Sequence, residues 1–166
     1  MRNHEVTTEQ PLLDEAGRIK EPGWARRQVW HYDREKITAP KRRIKEWDYY
    51  LVMNEDYAAA FTLSDDGYIG LQSVSLLNFK EKWEHTETIL TPFPMGKMKM
   101  PASSSEGDII YKDKRLRMEF KVEEGKRLIS CDFKDFYQGK PFYCEITLEQ
   151  PRMDTMVIAT PWSGKN

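Results

Sequence analysis

Leu116, Met118, Phe120 and Val122 alternate with Arg115, Arg117, Glu119 and Lys121, and this period of two is the strongest constraint on how the chain folds. Successive side chains of an extended strand point to opposite faces, so the run reads as a β-strand with one buried and one wet face. The same period appears at Trp47, Tyr49, Leu51 and Met53, and it resumes after Asn54-Glu55-Asp56 at Tyr57, Ala59, Phe61 and Leu63, which predicts a hairpin. Ser64-Asp65-Asp66-Gly67 predicts a second turn, with residues 68–77 and 81–90 as further strands rich in β-formers and residues 155–160 as a last one.

Residues 126–133 and 142–149 align in a single register that sets Phe133 opposite Phe142, Cys131 opposite Cys144 and Ile129 opposite Ile146. That agreement predicts an antiparallel hairpin bridged by residues 134–141, with the two cysteines as facing, buried free thiols. Strands this short, regularly interrupted and with no helix of ordinary length, predict an all-β fold: an antiparallel barrel or sandwich of about nine strands. Parallel α/β folds are excluded because their crossovers need a dozen or more residues, usually helical.

The β-domain is expected over residues 47–166, with residues 1–46 as an irregular N-terminal arm packed on it, since Pro11, Gly17, Pro22, Gly23 and Pro40 leave no room for a long helix. Residues 18–46 carry ten basic side chains against four acidic ones, although the whole chain has a formal charge of −1. The arm therefore reads as a charged strap on an acidic body, with Trp24 mostly buried and Arg26 or Arg27 paired with a carboxylate. Neither the net charge nor any motif favours nucleic acid, and no apolar run is long enough to span a membrane. Two cysteines without CxxC spacing and a polar N-terminus predict a cytoplasmic protein.

Little in the chain points to a reaction. His4, His31 and His85 are scattered without zinc spacing, and Gly-rich phosphate loops and the GxSxG elbow are absent, so no metal or cofactor is expected. Three side chains are catalytic candidates: Asp48 and Asp132, strand carboxylates flanked by core aromatics, and His85, between Trp83 and Glu87 on one strand face. If Trp47 and Tyr49 point inward, their rings line a barrel mouth suited to a mostly apolar ligand, and the Met-rich loop with Met95, Met98 and Met100 forms an adaptable contact surface or a lid. Trp47, Tyr49, Met95 and Met98 are the expected ligand-binding residues.

The stretches Gln-Pro-Leu-Leu-Asp-Glu-Ala-Gly-Arg (10–18), Glu-Pro-Gly-Trp-Ala-Arg-Arg (21–27), Arg-Ile-Lys-Glu-Trp-Asp-Tyr-Tyr (43–50), Leu-Thr-Pro-Phe-Pro-Met-Gly-Lys (90–97) and Leu-Glu-Gln-Pro-Arg-Met-Asp-Thr-Met-Val (148–157) resemble the domain of unknown function 2804 family along essentially the whole chain. The resemblance implies an all-β protein distantly similar to lipocalin-like β-barrels of the hydroxyneurosporene-synthase and AttH type, and it supplies no reaction. It also implies a second β-rich half after a segment like residues 156–162, which makes residues 47–166 an expected incomplete half of a two-part protein. Three functions follow as expectations: binding of a small, largely apolar, lipid- or isoprenoid-like ligand; a hydratase, lyase or isomerase acting on an unsaturated lipid-like substrate; and homo-association through an open sheet edge.

Overall fold

The computed structural model describes residues 4–161, and within them the long strands form two antiparallel four-stranded sheets. The first contains β4 (Glu46–Met53), β5 (Tyr57–Asp65), β6 (Ile69–Asn78) and β7 (Trp83–Pro92) in sequential order. The second contains β8 (Ile109–Lys112), β9 (Leu116–Glu123), β10 (Lys126–Tyr137) and β11 (Lys140–Glu149), also in sequential order. No ladder joins the two sheets among the described residues, so the expected barrel is not closed and the arrangement is that of a sandwich. Pro92, Pro94 and Pro101 lie in or beside the connection from β7 to β8, where missing N–H donors stop the pairing that closure would need.

One core fills the space between the sheets. Phe61, Leu63 and Val74 of the first meet Leu116, Met118, Phe120, Ile129, Cys131 and Phe133 of the second, all fully or almost fully buried. The Tyr50 ring meets Phe120 edge-on at 4.8 Å, and Phe61 lies 6.4 Å from Phe142. At the β7 side the layers are also joined by polar contacts: His85 Nε2 donates to the Phe136 carbonyl at 2.8 Å, and Arg115 pairs with Glu87 at 2.7 Å.

The β10–β11 register matches the expected one at all three pairs, and Cys131 and Cys144 face each other as free thiols, although Cys131 alone is buried and Cys144 is half-buried. The connection differs from the expected 134–141 bridge. β10 continues through a register shift to Tyr137, and a two-residue turn at Gln138 and Gly139, both with positive φ, starts β11. Positive φ at both central positions suits the twist of a tight hairpin, so the strands need no longer loop. β8 falls where no strand was expected, because four residues are too few to establish a period.

The arm holds three short strands and two single-turn 3-10 helices. β1 (Gln10–Pro11) runs parallel to β3 (Trp30–His31), while β2 (Gly23–Ala25) pairs antiparallel with β12 (Val157–Ala159). The last apolar strand thus joins the arm rather than either large sheet, and Val6, Ala25, Val29, Trp30 and Ala159 make a second small core. Trp30 is the deeply buried arm tryptophan, whereas Trp24 is half-buried beneath the Arg26 guanidinium, 5.4 Å from its ring. Arg26 pairs with Glu5 and Asp154, and Arg27 with Glu9, so the arm's cations are matched by carboxylates of the arm itself and of the segment before β12. No helix among the described residues is long and apolar enough to cross a membrane.

Candidate functional site

β4 is turned opposite to the expectation. Trp47, Tyr49, Leu51 and Met53 occupy its outer face, with Trp47 63 % exposed, and Asp48 and Tyr50 face the second sheet. Alternation specifies two faces but not which is buried, and here Tyr50 is the ring that seats against Phe120. The inward Trp47/Tyr49 lining is therefore not formed. Trp47 reaches only the rim of a cleft, and Tyr49 and Met95 are exposed and lie outside it. Met98 packs on the core, and its sulfur accepts from Gln72 Nε2 at 3.6 Å.

That cleft, of about 320 Å³, opens between the sheets beside the start of β4. Its walls come from Glu46 and Asp48 of the first sheet, Ile109 and Arg127 of the second, Tyr32 of the arm, and the loop from Met100 to Ser104. Apolar Met100, Pro101 and Ile109 thus stand beside a few convergent polar groups, the usual make-up of a ligand pocket.

Most of those polar groups already have partners. Tyr32 donates to Glu46 at 2.5 Å and Arg34 pairs with the other Glu46 oxygen, so that carboxylate is neutralised within the wall. Tyr50 donates to Asp48 at 3.0 Å. Burial first and the adjacent carboxylate second raise both phenols well above the usual tyrosine range, so each stays a protonated donor.

Arg127 is the exception. It is 2 % exposed, its Nη2 donates to the Ser104 carbonyl at 2.5 Å and its Cζ lies 5.6 Å from the Tyr50 ring centroid. Its Nε has no hydrogen-bond partner among the described residues. The sequence carries a signal for it: Arg127 is in phase with Ile129, Cys131 and Phe133, where the alternation calls for an apolar side chain. Tyr32 has no comparable signal, because the arm that brings it to the cleft has no period, and Glu46 stands at the first position of β4, ahead of the alternation read from Trp47.

The catalytic candidates are not brought together. Asp132 is exposed on the outer face of the second sheet, opposite Tyr143 and Arg117. His85 is on β7, at the edge opposite β4, with its ring packed between Trp83, Phe136 and Tyr137. Asp48 alone lines the cleft. No group of three His, Cys, Asp or Glu side chains among the described residues could hold a metal ion.

A second cavity of about 500 Å³, lined by residues such as Met53, Tyr57, Leu77 and Trp83, lies at the far end of the first sheet and takes no wall from the second. Comparison with curated proteins and with solved structures finds no match. The family model described as Domain of unknown function (DUF2804) matches residues 3–166. The chain belongs to that family.

Proposed function

We propose that the protein binds a small, largely apolar molecule in the cleft between its two sheets. The observation that carries this reading is the cleft's composition: apolar Met100, Pro101 and Ile109 beside the buried, incompletely bonded Arg127. Enclosure by both sheets favours it over the cavity at the far end of the first sheet, whose walls come from that sheet alone. The lipocalin-like relationship implied by the sequence resemblance belongs to the same proposal, and the facing free thiols suit a reducing, cytoplasmic setting. A hydratase or isomerase has less support, since Asp48 is the only carboxylate candidate at the cleft and already accepts from Tyr50. The test is titration with an environment-sensitive apolar dye. Saturable binding at one dye per chain, abolished by filling the cleft with Met100→Trp while the unfolding midpoint is unchanged, supports the proposal. Absence of saturable binding contradicts it.

A second reading, self-association, rests on a different surface. The outer face of the first sheet has eighteen positions, four each from β4 and β5 and five each from β6 and β7, and Glu84 is the only charged one. Trp47, Tyr49, Leu51, Met53 and Leu90 are exposed there. The outer face of the second sheet instead carries Arg117, Lys121, Asp132 and Glu145. The first of these faces is the apolar one, so a second copy meeting it face to face is the occupant that buries no charge but Glu84. Four strands about 4.8 Å apart and roughly 26 Å long cover about 500 Å² per copy, which gives a total near the low end of specific interfaces. Size-exclusion chromatography with light scattering should find a dimer that Leu51→Lys converts to monomer. A wild-type monomer at micromolar concentration contradicts this reading without touching the first.

A further inference from the structure

We infer that the cleft selects ligands with an anionic head group, a carboxylate on an apolar chain, and that Arg127 is the residue that selects it; this rests on the ligand-binding reading above. A guanidinium stays protonated in proteins, so Arg127 carries its charge into an almost fully buried position. Burying a charge is expensive unless it is paired and its donors are used. Arg34 and Arg115, the other arginines with a buried N–H that lacks a partner, each have a carboxylate, Glu46 and Glu87. Arg127 has none within 4 Å among the described residues; its contacts are the Ser104 carbonyl and the face of Tyr50.

The other charges around the cleft favour the same sign of ligand. Glu46 is consumed by Arg34 and Tyr32, and Asp48 accepts the Tyr50 hydroxyl and forms no ion pair with Arg127 within 4 Å. Lys45, an exposed residue of the same lining, adds a second positive charge. An incoming carboxylate thus meets two cations on the cleft wall, the buried Arg127 with an unused donor and the exposed Lys45. Asp48 is the one group that opposes it, and it would attract an ammonium instead. A cleft of about 320 Å³ suits a medium-length chain rather than a full-length lipid.

The experiment compares decanoate, decanol and decylamine by titration calorimetry against the wild-type chain, Arg127→Met and Arg127→Lys. Decanoate should bind at least about tenfold more tightly than decanol, the scale of a charge-assisted hydrogen bond in a buried site. Arg127→Met should bring decanoate down to the decanol level and leave decanol unchanged, and Arg127→Lys should fall between. Should Arg127→Met fail to fold, the wild-type protein still decides, because decanoate but not decanol should shift the Arg127 Nε–H resonance. Equal affinity for decanoate and decanol, or tighter binding of decylamine, overturns the anionic selectivity while leaving the cleft as a binding site. No binding by any of the three overturns the ligand-binding reading itself.

Discussion

The buried carboxylate of Asp65 and the backbone N–H of the half-buried Gly96 meet at 2.7 Å, 31 positions apart in the chain. The other Asp65 oxygen accepts from the Gly67 N–H at 3.1 Å, so one fully buried side chain ties the β5–β6 turn to the Met-rich loop. That loop positions Met98 on the core and Met100 on the cleft wall. Asp65→Ala leaves those donors without an acceptor and should cost roughly 3 kcal/mol, since each buried unsatisfied group costs about 1–3 kcal/mol. Urea unfolding should report the loss, and limited proteolysis should cut within residues 93–100 faster than in the wild type.

Two glycines with the same backbone conformation should respond differently to substitution. Gly67 and Gly125 have φ of +78° and +69°, but a Cβ on Gly67 would lie 2.6 Å from backbone atoms of Lys41 and Arg42, while one on Gly125 would meet nothing within 4 Å. Gly125→Ala should therefore cost about 1 kcal/mol of backbone strain alone, and Gly67→Ala clearly more. Equal losses on chemical unfolding would show that the segment before β4 yields freely at Gly67.

The edge-on pair of Tyr50 and Phe120 joins the two sheets beside the cleft. A double-mutant cycle on Tyr50→Leu and Phe120→Leu should give a coupling of about 0.5–1.5 kcal/mol, the usual range for such aromatic pairs. A coupling near zero would mean that the layers do not meet there.

The cysteines should make the protein sensitive to alkali. Burial raises the Cys131 thiol from its ordinary 9.0 to about 12 and that of Cys144 to about 11. A neutral thiol favoured by the fold contributes stability that is fully present below about pH 9 and lost as pH rises toward 11 to 12, because the unfolded chain releases its protons first. Thermal unfolding followed from pH 7 to 11 should show that decline, and Cys131→Ala should reduce it. At pH 8 the folded protein should react with iodoacetamide at least roughly a hundredfold more slowly than the denatured chain.

The second sheet was largely legible in the sequence because its two faces differ in polarity. Arg117, Lys121 and Asp132 cannot share a face with Met118, Phe120 and Cys131, so both period and orientation follow. In β4 both faces carry aromatics, and the mistaken orientation of Trp47 and Tyr49 is what a period without a polarity contrast allows. The cleft was hidden for a related reason. Glu46 and Arg127 lie on strands distant in the chain, and Tyr32 and Met100 are brought to them by an arm and a loop that have no periodicity. Only Arg127, a charge in phase with core residues, marked its own position.

The most direct test of the account is an NMR titration of the isotope-labelled chain with decanoate. Binding in the cleft predicts saturable shifts at Tyr32, Asp48, Met100, Ile109 and Arg127, which the fold brings together from four separate parts of the chain, with Asp132 and Glu145 on the outer face of the second sheet unmoved. Shifts confined to Met53, Tyr57, Leu77 and Trp83 at the far end of the first sheet, or no saturable shift anywhere, would contradict it.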